Sequence, residues 1–449
     1  MKTVFVTSFY PLISRNILET DFLKNLTAKG DVRAVILAPL YKKEYFVKSF
    51  SSPQVVVEGI AHGQPTKTLR GLVLKRLSKL MLPTRTVRLQ QKTKLYAEKN
   101  LFRFYVLYMP VRFAGRFGLF RKLLRLTSYH LAPRGIFDEL IEKYNPDAIF
   151  STDIQNENDV NLMQEARRRG ISVLGMVRSW DNLTVHGIMQ ILPDKLLATS
   201  VISKDAAIKY HDMPADDIFV VGIAHYDNYL KGPTLSKEDF SKKFGTDRSK
   251  KLILYAPVGD RYIYKNDMDK YVLEALSSAD AHVLVRFPPT DTVSLGDFKK
   301  PKNMAYHQPG KNFKDGFLLD QEIGREDDES LINSLYWSDL VICGPSTLGI
   351  DAALFGKPVI FVNFYPTERV LWEKAVGIHF NHIDQLLKVG GIKVADTREQ
   401  FMNYIKEYLE NPKLDEDARK KIVEKWCAGG DGKSTERLTN EVYNFIFRK

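Results

Sequence analysis

Short apolar runs alternate along this chain with longer stretches in which apolar residues return every three or four positions. The first pattern predicts buried strands and the second amphipathic helices. The clearest example is DLVICGPSTLGIDAALFGKPVIFVN. Residues 340–343 read as a strand bounded by Gly344 and Pro345, residues 348–355 as a short helix closed by Gly356, and residues 359–362 as a second strand. Strand, tight turn, helix and strand within about 25 residues make one βαβ unit. Further strands are predicted at 4–6, 32–38, 147–150, 171–177, 195–199, 218–222 and 282–287, and another starts at Leu252. Helices are predicted over 17–30, 136–144, 160–169, 204–211, 268–277, 398–409 and 415–426. Such alternation predicts an α/β protein built on parallel sheets.

The stretch 231–251, KGPTLSKEDFSKKFGTDRSKK, is polar and rich in turn formers, and it reads as a linker between domains. The expected organisation is a first α/β domain over 1–230, a second over 252–433, and a terminal helix over 434–449 capped by Ser434. A length of 449 residues agrees with about two to three domains.

Residues 60–135 break the rhythm. LRGLVLKRLSKLMLP and FRFYVLYMPVRFAGRFGLFRKLLRLTSYHL interleave Lys and Arg with Leu, Phe, Tyr and Met. This segment holds 17 Lys or Arg against one acid, Glu98, a balance of +16 within a chain of net +12, so the remainder is slightly acidic. Basic amphipathic helices with aromatic members favour the headgroup layer of an anionic membrane, where each base contributes about 1 kcal/mol at low salt. Bases interleaved with aromatics also suit nucleic acid, and a third reading is an insertion whose apolar side packs on the first domain. The bulky aliphatic content at 72–74 and 119–126 speaks against nucleic acid. The expected partner is an anionic membrane surface.

Composition narrows the class further. The chain is 44% hydrophobic and 27% charged, which is globular. Cys343 and Cys427 are too few for a disulfide framework and suit a reducing cytoplasm. The start, MKTVFVTSFYP, is strand-like rather than a signal peptide. No window holds the roughly 18 uninterrupted apolar residues that span a bilayer. The expected location is therefore the cytoplasm, peripheral at the inner face of the plasma membrane.

Candidate chemistry gathers where predicted strands end, which is where open parallel sheets place ligands. A helix start at such an end offers unpaired N–H groups to phosphate. Gly344, Ser346 and Thr347 are placed for that task, and Asp351, four residues beyond Thr347, shares its helix face. The alternative is that Ser346 and Thr347 only cap the helix. Asp153 follows one strand, and Arg178, Trp180, Asp181 and Asn182 follow the next. Arg15 and Asn16 lie beside the first βα loop, Gly259 sits in a Pro-Val-Gly turn, and Arg286 ends a strand. His211 and His225 have no partners at metal-ligand spacing, and 315–328 reads as an acidic loop.

The motifs RNILETDFL, VRSWDN, VVGIAHYD, ILYAPVGDR, VRFPP, GPSTLGIDAALFGKPVIF and DGKSTER, in this order, resemble the GT-B superfamily of nucleotide-sugar glycosyltransferases. The nearest resemblance is to its branch of CDP-glycerol glycerophosphotransferases and bacterial surface-polysaccharide transferases. The resemblance implies two facing Rossmann-like domains, the first carrying the basic, partly helical insertion. It implies a donor site at Gly259, Arg286, Gly344, Ser346, Thr347 and Asp351. It also implies an acceptor site at Arg15, Asn16, Arg178, Trp180 and Asn182, with Asp153 or Asp181 as base. The implied activity moves a sugar from a nucleotide-sugar to a lipid-linked or oligosaccharide acceptor in surface polysaccharide synthesis, without metal or other cofactor. Alternatives are glycerophosphate transfer, UDP-N-acetylglucosamine 2-epimerisation and a non-enzymatic basic membrane-binding protein. The sequence departs from the pattern at Phe287-Pro288-Pro289, where related chains carry a basic residue or His.

Overall fold

A computed structural model describes residues 1–61, 69–261, 263–289, 291–311, 313 and 321–448. Of the expected acidic loop 315–328, residues 315–320 lie outside them, and 325–328 are not loop but the start of the helix Arg325–Trp337, where Glu326, Asp327 and Asp328 form the acidic first turn. The chain forms two compact units, one from Met1–Asp227 (apart from 96–98) with Asp431–Lys449, the other from Asn228–Gly430.

The first unit is a seven-stranded sheet, β1 (Lys2–Thr7), β2 (Val32–Pro39), β3 (Val55–Ile60), β4 (Ala148–Ser151), β5 (Ser172–Met176), β6 (Lys195–Ala198) and β7 (Ile218–Val220). Its order is β3-β2-β1-β4-β5-β6-β7, and every pair is parallel. The period of two along β1 feeds two cores. Val4 and Val6 join a cluster with Ile17, Phe22, Leu438 and Val442. Phe5 joins the opposite one with Ile149, Leu162 and Val177. The strand order reverses at the β1–β4 boundary, so the loops after these strands diverge and leave a crevice.

The terminal helix Ser434–Phe447 packs in the first unit's core. Its cap is Asp227, whose carboxylate accepts from the Ser434 amide at 3.1 Å and the Thr435 amide at 2.6 Å, whereas the Ser434 side chain does not cap it. Arg437 grips Asp431 through two hydrogen bonds of 2.7 and 3.0 Å, so the DGKSTER motif is a docking device for this helix.

The segment between β3 and β4 is helical over Leu69–Met81, Arg85–Glu98, Arg103–Tyr108, Met109–Ala114 and Gly118–Leu131. Its inner side is fastened to the sheet domain. Ser78 Oγ donates to the Ile188 carbonyl at 2.7 Å, Thr84 Oγ1 to the Thr184 carbonyl at 2.9 Å, and Arg121 and Arg125 both bind Asp212. Its outer side is apolar, with Leu72, Phe102, Phe113, Leu119, Leu123 and Leu126 exposed. Packing and exposure thus coexist on opposite faces.

The second unit is a six-stranded sheet, β8 (Leu252–Ala256), β9 (His282–Arg286), β10 (Met304–His307), β11 (Leu340–Cys343), β12 (Val359–Val362) and β13 (Lys393–Ala395). Its order, β10-β9-β8-β11-β12-β13, is again parallel throughout, with the reversal between β8 and β11. The stretch read as a linker carries a helix, Lys237–Phe244, that buries Phe240 and Phe244. Among the described residues no helix is long and apolar enough to cross a membrane.

Candidate functional site

At the first unit's reversal point, hydroxyls tie β1 to β4. Thr7 Oγ1 donates to Asp159 at 2.5 Å, Ser151 Oγ donates to the same oxygen at 2.9 Å, and the Thr152 amide donates to Thr7 Oγ1 at 2.9 Å. Asp159 occupies the first turn of the helix Glu157–Arg168 and is fully buried. Burial, reinforced by the nearby Asp153 charge, pushes its carboxyl up to about 8. Its second oxygen, Oδ2, has no hydrogen-bond partner among the described residues.

Asp153, from the end of β4, receives Arg178 Nη1 at 2.7 Å and Asn182 Nδ2 at 3.3 Å. Arg178, from the end of β5, sets its guanidinium carbon 3.6 Å from the Tyr10 ring centroid. Burial pulls its guanidinium down, yet Asp153, Tyr10, Asp181 and Asp159 together outweigh that and keep it above its ordinary value. Its Nε has no hydrogen-bond partner among the described residues. Asp153, Arg178 and Asn182 are therefore one cluster. Asp153 is 2% exposed and spends its oxygens on Arg178 and Asn182, which makes it a positioning residue for the guanidinium rather than an open base.

Asp181 differs. It precedes the short helix Asn182–Val185, its side chain is 28% exposed, and its carboxylate stands 3.6 Å from His186 Nε2. Trp180, beside it, is half-buried. Arg15 and Asn16 form a separate group, with Arg15 Nε donating to Asn16 Oδ1 at 3.0 Å. Burial, with the Arg15 charge beside it, drives His225 well below its usual value. His186 and His225 were not assigned roles by the sequence reading, because a lone His in a loop carries no pattern until its neighbour is known.

At the second unit's reversal point a buried carboxylate organises the first loop. Asp269 accepts from the Val258 amide at 2.9 Å, the Gly259 amide at 3.0 Å and the Tyr255 hydroxyl at 2.6 Å. Gly259 has φ +91°, and a Cβ there would stand 2.4 Å from the Asp291 carboxylate, so only glycine fits. A Cβ on Gly344 would meet Val258 at 2.4 Å, which lets the loops after β8 and β11 touch. Gly259 and Gly344 thus shape the crevice, but the Gly259 amide is already bonded.

Ser346 and Thr347 precede the helix Leu348–Leu354, and no side chain caps it. Ser346 is half-buried and bonded to the Cys343 thiol, while Thr347 is exposed. Two sequence expectations change here. Asp351 points inward, 5% exposed and close to Cys343 and Cys427, because the helix face it shares with Thr347 turns into the core after one turn. Arg286 is 8% exposed and binds Ser330 Oγ at 2.7 Å, His307 Nδ1 at 2.8 Å and the Asp327 carbonyl at 3.0 Å. It ties β9 and β10 to the helix Arg325–Trp337, which leaves little of it for a phosphate.

Two doubly wound parallel units, each with polar loops at its reversal point, are the building blocks of the GT-B fold class. The profile of the CDP-Glycerol:Poly(glycerophosphate) glycerophosphotransferase family matches residues 176–444, well over half of the chain, and the chain belongs to that family. Solved structures agree on the fold. UDP-GlcNAc 2-epimerase from Neisseria meningitidis, bound to UDP-GlcNAc, aligns at 12% identity and TM-score 0.56, covering 99% of this chain and 100% of that one. A glycosyltransferase from Rickettsia africae aligns at 12% identity and TM-score 0.51, covering 100% and 99%. UDP-GlcNAc 2-epimerase from Methanocaldococcus jannaschii aligns at 13% identity and TM-score 0.55, covering 99% and 100%. No curated protein matches the chain.

Proposed function

We propose that the chain moves a sugar from a nucleotide-sugar to a hydroxyl of a lipid-linked or growing glycan at an anionic membrane surface, in bacterial surface polysaccharide synthesis. The observation that carries this reading is the Asp153–Arg178–Tyr10 cluster with Asp181 beside it, a prearranged cation and a more open carboxylate at the first unit's reversal point. The acceptor hydroxyl oxygen attacks the anomeric carbon, and a new C–O bond forms as the bond to the distal phosphate oxygen breaks. The electron pair leaves on the nucleoside diphosphate, and the hydroxyl proton passes to Asp181. Arg178 binds the acceptor's anionic or polar groups, and Ser346 and Thr347 hold the donor phosphates. The donor is a substrate, and the reaction is assigned no resident metal or cofactor.

Family membership favours a second reading, with glycerol phosphate as the group transferred. There the acceptor oxygen attacks the distal phosphorus of CDP-glycerol, the phosphoanhydride breaks, and CMP leaves. The structural likeness to UDP-GlcNAc 2-epimerases favours the first reading, with a nucleotide-sugar donor.

Membrane attachment rests on the helix Gly118–Leu131. Its buried side carries Arg121, Leu124 and Ser128, while Leu119, Leu123 and Leu126 face outward. An apolar outer stripe accompanied by exposed Arg70, Arg116 and Lys122 matches a headgroup layer.

The test is donor turnover across UDP-, GDP- and CDP-activated donors, with and without EDTA. Asp181→Asn is expected to lower the rate by about 10²–10⁴ and Thr347→Val to raise KM, with EDTA changing neither. Unchanged turnover in both variants removes the site assignment.

A further inference from the structure

The arginines of the helical segment between β3 and β4 fall into two sets. Arg121 and Arg125 share the Asp212 carboxylate. Arg88, Arg112 and Arg116 form no ion pair with a carboxylate among the described residues, in a segment whose one acid is Glu98. They are nevertheless gathered. Arg88 and Gln91, three residues apart, share a face of the helix Arg85–Glu98. Arg112, on the helix Met109–Ala114, donates through Nη1 to Gln91 Oε1 at 2.5 Å, which joins the two helices. Arg116 stands in the turn just beyond, its guanidinium carbon 5.8 Å from the Phe113 ring centroid. Burial, with the Arg88 and Arg116 charges close by, holds the Arg112 guanidinium below its ordinary value.

The arrangement is fixed from beneath. Gly115 packs so closely that a Cβ there would stand 1.7 Å from the Met81 carbonyl oxygen, and the Gly115 carbonyl accepts from Arg121 Nη1 at 2.7 Å. Gln91, 3% exposed, holds Arg112 from the inner side. Arg88 and Arg116 are exposed and Arg112 is half-buried. Like charges on a rigid frame repel, and an anion among them removes that repulsion. The surroundings identify the anion. Phe113, Phe117 and Phe120 are all exposed and continue from Arg116 as a ladder, with successive ring centroids 5.4 and 6.4 Å apart. The ladder leads into the outward leucines of the helix Gly118–Leu131, a surface suited to acyl chains.

We infer that Arg88, Arg112 and Arg116 are a headgroup site for one lipid phosphate, with the acyl chains over Phe113, Phe117 and Phe120, and that a phosphomonoester headgroup is preferred to a phosphodiester one. A phosphomonoester presents three terminal oxygens and a charge of about −1.5 to −2. A diester presents one oxygen fewer and a single charge. Three guanidinium forks match the monoester. The inference rests on the membrane contact proposed above and deepens it, replacing a diffuse attraction with a built site for one headgroup.

The experiment is flotation of the full chain with phosphatidylcholine vesicles doped with phosphatidic acid or with phosphatidylglycerol to equal zeta potential. Binding to the phosphatidic acid vesicles is expected to be about tenfold tighter, the gain from one further charge-assisted hydrogen bond. Arg112→Lys and Arg116→Lys keep the charge and lose the fork, so each is expected to erase that preference and leave phosphatidylglycerol binding unchanged. Arg116 lies in an exposed turn, so its variant keeps the test decisive if Arg112→Lys fails to fold. Phosphorus NMR with dihexanoyl phosphatidic acid and with inorganic phosphate separates a lipid from a free anion. The lipid is expected to bind more tightly, and equal binding overturns the lipid assignment. Equal flotation with both vesicle types, or a preference that survives both lysine variants, overturns the site and leaves the membrane contact standing. No flotation with either vesicle removes the membrane contact and the site with it.

Discussion

Asp159 shows what burial does to a single residue at a parallel-sheet crevice. Its carboxyl titrates near pH 8 in the folded chain and near 3.8 when exposed, so unfolding releases a proton throughout that window. Stability contributed by the protonated form is complete below 3.8 and is lost as pH rises through about 8. Asp159→Asn keeps an oxygen for Thr7 and Ser151 and removes the titration. Between pH 6 and 8 the unmodified protein is expected to lose on the order of 3 kcal/mol more than the variant, visible in melting temperatures across that range. Parallel curves would show that Asp159 is already ionised at pH 6. His211 slopes the other way. Burial lowers it to about 4, and it accepts from the Met189 amide at 3.1 Å while lying 2.8 Å from the Leu183 carbonyl. Its share of stability is present above 6.5 and lost as pH falls towards 4. At this scale strand ends fix where such side chains emerge, so the sequence brings Asp153, Arg178 and Asn182 to one edge, and the structure bonds the last two to Asp153. It misjudged Arg286 and Asp351, since a strand-end Arg and a first-turn Asp read alike whether they meet solvent or core. It passed over Asp269, whose partners are backbone amides ten and eleven residues upstream.

Elements were legible in proportion to their burial. Strands such as β11, with four wholly buried apolar residues, announce themselves. The three strands without a sequence expectation, β3, β10 and β13, all lie at sheet edges. β10 and β13 have only three or four residues with partly exposed faces. Pairing to one neighbour supports such strands where composition alone does not. The basic segment was ambiguous for a different reason. Periodicity shows that a helix has two faces, but Arg121 buried against Asp212 and Leu119 left outside invert the usual assignment. The triple change Leu119→Ser, Leu123→Ser and Leu126→Ser tests the proposed membrane contact without touching the core. At about 1.5 kcal/mol or more per leucine withdrawn from the interface, partition into anionic vesicles should fall more than a hundredfold. Vesicle flotation equal to that of the unmodified chain would refute the contact.

At the scale of the molecule, the alternation of apolar runs was enough to read an α/β chain with two parallel sheets, and the order of motifs was enough to read the superfamily. The division of the chain was harder. The terminal helix belongs with residues 1–227 because Asp227 caps it and Leu438 and Val442 complete the core under β1, contacts more than two hundred residues apart in sequence. Local patterning cannot carry that information. The close approach of the loops after β8 and β11, at Val258 and Gly344, is equally non-local, since they meet only in the fold.

The central claim is group transfer, and one measurement addresses it directly. The full chain is incubated with membranes and, in separate reactions, UDP-GlcNAc labelled in the sugar and CDP-glycerol labelled in the glycerol. The account predicts that one label enters the lipid or polymer fraction in step with released nucleotide, UDP in the first case and CMP in the second, and that Asp181→Asn stops both together. Label that stays on the nucleotide, whether unchanged or epimerised, while nothing enters the acceptor fraction would contradict it.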